Sequence, residues 1–263
     1  EKKGFVVKKA PISLPIVSKE AFLSEFWSAA GEKTKVVFLS HITSATALIL
    51  PVEDIIREAR RRGILTIVDG AHAPAMLPLN LGELGADIYF GACHKWMMAP
   101  KGASFLYAHP SQQHWIDPLL ISWGYKSTTP SDSLFIDYHQ TNGTRDFSAF
   151  LAVPAAMQFM EDHGWWEVAA SCQEMVRRWA ARFTEELGVE THAPVTPEWI
   201  GQMFAIPLPT TAPMALYRKL IDHYHIEIPV TEQNGKTYVR YSFQAFNEER
   251  QLEVLLEVLR GER

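Results

Sequence analysis

The alternation of apolar runs with helical segments in the first 110 residues restricts the fold of this chain more than any other feature. Runs that are apolar throughout are typical of strands covered on both faces, as in parallel sheets. The predicted strands are residues 5–8, 36–39, 64–68, 87–91 and 103–107. The predicted helices between them are residues 19–30 and 51–62. The pattern therefore predicts an α/β fold with a mostly parallel sheet.

The rest of the chain has a different organisation. After Gly143, apolar residues recur at helical spacing over residues 147–163 and 165–187, on either side of Gly164. An α+β region follows, with predicted strands at 203–207, 226–230 and 237–243 and predicted helices at 213–224 and 248–259. We therefore expect a large domain over residues 1–163, a connecting helix over 164–187 and a small C-terminal α+β domain over 188–263.

Composition limits the class of partner. The chain has 263 residues, of which 47% are hydrophobic, and a formal net charge of -5, which gives no basic surface for nucleic acid or an anionic membrane. No apolar run is long enough to span a bilayer, and no signal-peptide pattern opens the sequence. Two cysteines, Cys93 and Cys172, argue against a disulfide scaffold. We expect a cytoplasmic protein that binds neither nucleic acid nor membrane.

Polar side chains follow three of the predicted strands. Residues 40–44 read Ser-His-Ile-Thr-Ser, residues 69–72 read Asp-Gly-Ala-His, and residues 92–95 read Ala-Cys-His-Lys. Ligands of open parallel sheets gather at the carboxyl ends of the strands. A lysine that forms a Schiff base and a carboxylate that keeps the pyridine nitrogen protonated are what a pyridoxal phosphate (PLP) enzyme needs most. Asp69 and Lys95 therefore predict a PLP site.

Further motifs occur in a fixed order along the chain. After residues 40–44 come Val-Asp-Gly-Ala-His at 68–72, Cys-His-Lys at 93–95, Gly-Thr at 143–144 and Val-Arg-Tyr-Ser at 239–242. This series resembles the class V aminotransferase family of fold-type-I PLP-dependent enzymes, and is closest in motif to isopenicillin N epimerase-like proteins. The resemblance implies a fold-type-I PLP-transferase-like architecture.

The family's phosphate loop and ring-stacking side chain lie upstream of any match in this sequence. Residue 1 is Glu rather than Met, and no Gly/Thr-rich loop precedes the first strand. We therefore expect the large domain to be N-terminally incomplete in this chain.

The resemblance assigns roles at the predicted site. Lys95 resembles the lysine that carries the cofactor, and Asp69 the partner of the pyridine nitrogen. His72 resembles the residue that contacts the phenolic oxygen of the cofactor, and His94 the residue that contacts its phosphate. The plain alternatives are a surface lysine after a strand for Lys95 and a turn cap for Asp69.

Weaker assignments concern hydroxyl groups. Ser44 stands where desulfurases carry asparagine, and Thr43 is a second candidate for contact with the ring, although a structural hydroxyl at a strand end accounts for it equally well. Ala92 occupies a position where relatives have a serine that binds phosphate. Thr144 resembles a threonine that reaches the phosphate of the neighbouring subunit, which implies a homodimer with shared active sites.

The substrate side is predicted from three residues. Arg240 resembles the arginine that binds the substrate α-carboxylate, a task that suits the bidentate guanidinium. A strand arginine in a surface ion pair is the alternative. Arg145 and Tyr125 are further candidates for contact with an amino-acid substrate.

The reaction predicted by this resemblance is PLP-dependent chemistry at the α-carbon of an amino acid or small peptide, with Lys95 moving the proton. Epimerisation and transamination both fit the residues. A C–S lyase that uses no carrier thiol also fits, because residues 231–239 contain no cysteine for a persulfide relay.

Two other classes stay open at this point. A metal-dependent hydrolase could use His41, Asp69, His72 and His94 as ligands, but this would leave Lys95 without a task. A non-catalytic relative could keep the fold without the cofactor.

Overall fold

The first sheet of the protein carries the predicted alternation. The structure is a computed structural model that describes residues 4–210 and 212–261. Its four strands are β1 (Val36–Ser40), β2 (Leu65–Asp69), β3 (Ile88–Ala92) and β4 (Ser104–Ala108), and they lie in that order. The β1–β2 and β2–β3 pairs are parallel and the β3–β4 pair is antiparallel. The predicted mostly parallel α/β sheet is confirmed.

Three helices precede β1, β2 and β3 in the sequence, and the first two contribute to the same hydrophobic core as the strands. Helix α1 (Lys19–Ser28) begins where the Ser18 hydroxyl accepts a hydrogen bond from the backbone N–H of Ala21 at 3.1 Å. Helix α2 (Val52–Arg62) ends at Gly63, which has a φ of +67° and closes the helix in the left-handed conformation. The buried apolar side of α2 faces the core through Val52, Ile55, Ile56 and Ala59. A short helix, α3 (Leu81–Leu84), precedes β3.

The segment from β4 to the long helix is more broken than the sequence suggested. A 3-10 helix (Pro110–Trp115) and helix α4 (Leu134–His139) were not predicted. The single helix predicted over 147–163 is wrong: the structure has α5 (Ser148–Leu151) and α6 (Val153–Asp162). Pro154 explains the break, because proline lacks the N–H that a continuous helix would use and favours the first helical turn. Helix α7 (Trp165–Leu187) matches its prediction at both ends.

A second, antiparallel sheet follows. Its strands are β5 (Met203–Leu208), β6 (Val230–Gln233) and β7 (Lys236–Ser242), in the order β5-β7-β6, with helices α8 (Pro213–Tyr224) and α9 (Glu249–Gly261). The strand predicted at 226–230 is wrong in position, since β6 begins only at Val230. Asn234 and Gly235 have φ values of +51° and +74°, and this two-residue turn sets the register of the β6–β7 hairpin.

A continuous hydrophobic core joins both sheets. Val68 of β2, Trp179 of α7 and Phe204 of β5 are each at most 1% exposed and belong to the same packed cluster. The domain boundaries at 163 and 187 therefore stay predictions. Among the described residues, no helix has both the length and the apolar character needed to cross a bilayer.

The strand predicted over residues 5–8 is also wrong. Within the described residues this segment has no ladder partner, and Phe5 and Val6 are 63% and 89% exposed. Apolar residues alone do not make a strand, because a strand needs a neighbouring backbone to receive its hydrogen bonds.

Candidate active site

Asp69 is the last residue of β2 and lies at the carboxyl edge of the sheet. Its position in the register is opposite Ser40 of β1 and Phe90 of β3. One carboxylate oxygen, Oδ1, accepts a hydrogen bond from the backbone N–H of Ala71 at 2.9 Å. Asp69 therefore caps the turn that follows β2. Within the described residues, its other carboxylate oxygen has no hydrogen-bond partner.

Only glycine fits at position 70, because the ring of Tyr89 lies against the Gly70 backbone. A Cβ atom at Gly70 would come within 2.1 Å of the Tyr89 ring, which excludes any larger residue. Tyr89 is fully buried in β3, and its hydroxyl lies 3.0 Å from Nδ1 of His41. Burial, helped by the Asp69 charge, raises the pKa of Tyr89, while burial lowers the pKa of His41 to about 4. Tyr89 was not predicted as a site residue. The available signal in the sequence was a large side chain in the strand next to the one that Gly70 follows.

Lys95 and His72 meet at the same edge. Nζ of Lys95 lies 3.1 Å from Nε2 of His72. Lys95 is exposed as a residue, yet partial loss of hydration lowers its pKa; the Asp69 carboxylate opposes this shift and Arg240 adds to it. His72 is buried, and burial with the charges of Lys95 and Arg240 lowers its pKa to about 3. His72 is therefore a neutral imidazole near neutral pH.

Two of the other predicted cofactor residues are held by local backbone. Nδ1 of His94 donates to the carbonyl of Ala103 at 2.8 Å, which fixes the ring and leaves Nε2 directed elsewhere. The Thr43 hydroxyl lies 2.7 Å from that of Thr46 and accepts from the backbone N–H of Leu48 at 2.8 Å. The structural alternative for Thr43 is thus the one that the contacts show.

Arg240 reaches this edge from the second sheet. Its Nη1 donates to the carbonyl oxygen of Ser44 at 2.6 Å and to the Ser44 hydroxyl at 3.0 Å. Nε of Arg240 is buried and has no hydrogen-bond partner among the described residues. Burial lowers the pKa of Arg240. Arg240 is therefore held by Ser44 rather than by a surface carboxylate, which contradicts the ion-pair alternative.

Three predicted residues are not brought to this group. Thr144 and Arg145 are exposed, and the Arg145 guanidinium lies 5.2 Å above the Phe150 ring. Tyr125 packs on Tyr138 with ring centroids 4.9 Å apart. Within residues 4–210 and 212–261, no hydrogen bond or ion pair joins these three to the strand-end group.

The metal-hydrolase alternative finds no support in the geometry. In the part of the chain that the structure describes, no group of three or more histidine, cysteine, aspartate or glutamate side chains could hold a metal ion. Nδ1 of His41 faces the Tyr89 hydroxyl and Nδ1 of His94 faces a backbone carbonyl, so one nitrogen of each ring is already engaged by the protein.

Trp96 is a second residue that the sequence analysis left without a role. It is 7% exposed, and its indole Nε1 donates to Nδ1 of His72 at 3.4 Å. Its position next to Lys95 was the only signal that sequence offered.

The residues at this edge fit PLP. They supply an accessible amine on Lys95, a carboxylate with one oxygen unengaged on Asp69, and neutral imidazole on His72. Nε of Arg240, which has no hydrogen-bond partner within the described residues, is a donor suited to an anionic substrate group. These groups match what the cofactor needs, which is an amine for its aldehyde, a carboxylate for its ring nitrogen and a hydrogen-bond donor for its phenolic oxygen.

Comparisons with known proteins identify the family. The model of the family described as Aminotransferase class-V matches residues 2–255. An isopenicillin N epimerase of Amycolatopsis lactamdurans is 34% identical over 98% of this chain and 67% of its own length. A putative L-cysteine desulfhydrase of Oryza sativa subsp. japonica is 26% identical over 93% of this chain and 56% of its own length. The chain thus spans only part of the length of these relatives.

A solved structure supports the same architecture. The apo cysteine desulfurase of Thermococcus onnurineus NA1 superimposes with a TM-score of 0.75 at 22% identity, covering 91% of this chain and 62% of that one. At that identity the likeness shows the fold-type-I fold. Together with the family match, it shows that this chain belongs to the class V aminotransferase family, whose members are PLP-dependent enzymes.

Proposed function

We propose that this chain carries the Lys95-centred site of a PLP-dependent enzyme that acts at the α-carbon of an amino acid or small peptide. The observation that carries the proposal is the contact of 3.1 Å between Nζ of Lys95 and Nε2 of His72, at the sheet edge that also holds Asp69. The lowered pKa of Lys95 favours the uncharged amine, which is the nucleophilic form.

Each residue has a defined task in this proposal. PLP, when bound, supplies an aldehyde that captures amines and a protonated ring that draws electrons from the α-carbon. Nζ of Lys95 would hold the cofactor and, once free, would move the proton at the α-carbon. The Asp69 carboxylate would keep the ring nitrogen protonated, and Nε2 of His72 would donate a hydrogen bond to the phenolic oxygen.

His94 is proposed to contact the cofactor directly, whereas Ser44 and Thr43 would support the residues around it. Nε2 of His94 points away from the Ala103 carbonyl and would contact the phosphate. Ser44 is exposed and its hydroxyl already accepts a hydrogen bond from Arg240, so its task would be to orient that arginine beside the ring. Thr43 would support the turn at residues 43–48.

Arg240 would bind the carboxylate of the substrate. Its Nη1 is anchored on Ser44, and its buried Nε lacks a partner, which leaves donors for an incoming anion. Arg145 and Tyr125 are proposed only as outer contacts with the substrate, because both now pack on neighbouring aromatic rings.

The identity to an epimerase favours epimerisation among the reactions that Lys95 can support. Epimerisation requires a second proton donor on the opposite face of the α-carbon, whereas transamination requires a keto-acid second substrate. A solvent-deuterium experiment separates the two, because epimerisation exchanges the α-proton and inverts the centre without forming a keto acid.

A C–S lyase is the second candidate, and the similarity to a desulfhydrase favours it. Both thiols of the chain lie in buried residues, and burial raises the pKa of Cys93 and of Cys172. Neither cysteine has the exposed, reactive thiolate that a sulfur relay needs. Release of sulfide from cysteine without a protein-bound persulfide would support this candidate over epimerisation.

A homodimer is proposed from an exposed apolar stretch. Leu119, Ile121 and Trp123 are 98%, 66% and 87% exposed in the segment that leads towards Thr144. Contiguous exposed apolar side chains mark contact surfaces. In a dimer, Thr144 would reach the phosphate site of the partner, and sedimentation of the purified chain as a monomer would contradict this.

Cofactor capture tests the proposal directly. PLP added to the purified protein should give a visible absorbance band, and borohydride should fix the cofactor covalently to Lys95, as located by mass spectrometry. Lys95→Ala should abolish this fixation completely. Lys101→Ala is the matched control, because Lys101 lies in an exposed turn six residues further on, and it should behave as wild type.

Two results would contradict the proposal. If borohydride still fixed the cofactor to Lys95→Ala, the amine that reacts with PLP would be one other than Lys95. A folded wild-type protein without any band at saturating PLP would favour the non-catalytic alternative.

A further inference from the structure

The nitrogen atoms of His72 face two different groups. Nδ1 receives the indole N–H of Trp96 at 3.4 Å, and Nε2 lies 3.1 Å from Nζ of Lys95. An indole nitrogen can donate but never accept, so Nδ1 must present a lone pair to Trp96. Because the ring is neutral, its single proton must be on Nε2, the nitrogen that faces Lys95.

We propose that Trp96 is a positioning residue whose indole N–H holds His72 in the tautomer that presents Nε2–H to Lys95. The inference rests on the proposed role of Lys95 but adds a residue that this role does not include. Trp96 is 7% exposed, so water does not compete freely for the indole N–H.

A neighbouring histidine shows the opposite arrangement. Nδ1 of His94 faces the carbonyl oxygen of Ala103 at 2.8 Å, and a carbonyl can only accept. His94 therefore carries a proton on Nδ1, whereas His72 carries its proton on Nε2. The different partners, a carbonyl for His94 and an indole for His72, set the two rings in different protonation patterns within one site.

The tautomer of His72 decides which form of Lys95 is favoured. An Nε2–H group forms a hydrogen bond with Nζ only when the amine offers its lone pair, which is the uncharged form that attacks an aldehyde. The other tautomer would accept a proton from the ammonium and so favour the charged form. The other charges facing Lys95 are Asp69, which favours the ammonium, and Arg240, which disfavours it.

Removing the indole donor should therefore lower the fraction of Lys95 that is uncharged. Trp96→Phe keeps an aromatic ring but has no N–H, so His72 becomes free to adopt either tautomer. We expect the rate at which a small acylating reagent modifies Lys95 near neutral pH to fall by about 5-fold, the effect of one hydrogen bond. Trp165→Phe is the matched control, because Trp165 is also buried and donates its Nε1 to the Ala75 carbonyl at 2.7 Å, away from His72.

The tautomer itself is measured by nitrogen-15 NMR of the cofactor-free protein labelled at histidine. The His72 signals are assigned by their loss in His72→Gln. Wild type and Trp165→Phe should show a protonated Nε2 and an unprotonated Nδ1, and Trp96→Phe should show a mixture. A wild-type ring with a protonated Nδ1 would overturn the proposal, and this result does not depend on whether Trp96→Phe or Trp165→Phe folds.

The outcomes also separate this inference from the proposed function. Absence of borohydride fixation at Lys95, with the expected His72 tautomer, would contradict the enzyme proposal and leave the role of Trp96 in place. Fixation at Lys95, with an unchanged His72 tautomer and unchanged acylation in Trp96→Phe, would overturn the role of Trp96 alone.

Discussion

Two regions of the molecule differ in whether their predicted site residues come together. One is the strand-end group of Asp69, His72 and Lys95, and the other is the linking segment at residues 109–147. In the first, His72 and Lys95 are 23 positions apart in the sequence, yet their side-chain nitrogens lie 3.1 Å apart. In the second, Tyr125 and Arg145 pack on rings of their own neighbourhood, and Thr144 is exposed.

The difference follows from how backbone constrains side chains. Parallel strands end at a common edge, so residues that follow them converge whatever the sequence distance between them. A segment of short helices and turns has no such common edge, and the positions of its side chains depend on packing with whatever covers them. The site residues at strand ends are therefore the ones that sequence order could place.

Among the substitutions, the largest expected effect tests how tightly the strand-end group is packed. Gly70→Ala should reduce the free energy of unfolding by about 3 kcal/mol, because its Cβ would lie 2.1 Å from the fully buried Tyr89 ring. Gly143→Ala in the linking segment should cost about 1 kcal/mol, since it meets no atom within 4 Å and only its φ of +104° is unfavourable. Urea unfolding measures both. Equal losses would break the comparison between the two regions.

A smaller effect is expected on cofactor binding. Asp69→Asn should weaken PLP binding by about 10- to 100-fold, the value of a hydrogen bond to a charged group, while the fold is kept. Arg145→Ala should leave PLP affinity unchanged, because the Arg145 guanidinium lies on Phe150 and outside the strand-end group. Absorbance titrations give both affinities. A similar loss in Arg145→Ala would place the linking segment within the cofactor site.

The last effect is measured against pH and concerns the acid stability of the strand-end group. His41 and His72 have pKa values lowered from 6.5 to about 4 and about 3, so between pH 6.5 and 4 the unfolded chain binds protons that the folded chain does not. Stability should fall as the pH falls through that range, by ~1.4 kcal/mol per pH unit for each histidine, and should be independent of both above it. His72→Gln should reduce the slope, and an unchanged slope would show that His72 is not buried in the neutral form.

The hairpin and the Thr43 turn show where the prediction was limited. Asn234 and Gly235 are a turn signal in the sequence, and the strand before them, β6, begins at Val230. The prediction placed that strand too early, at residues 226–230, because those residues are more apolar. Thr43 was an ambiguous hydroxyl until its contacts with Thr46 and Leu48 showed a local turn. Both cases required the position of a second segment, which periodicity does not contain.

The sequence by itself determined the alternation of strands and helices, the family, and the strand-end positions of Asp69, His72 and Lys95. Hydrophobic periodicity carries the alternation, because it depends on residues close together in the chain. The family and the site positions are carried by short motifs and by their order along the chain, both of which are read without knowing any contact. Only the tertiary structure decided that Arg240 is held by Ser44, that Tyr89 lies against Gly70, and that Trp96 donates to His72. Those contacts join separate elements, and their distances are fixed by the packing of one element on another.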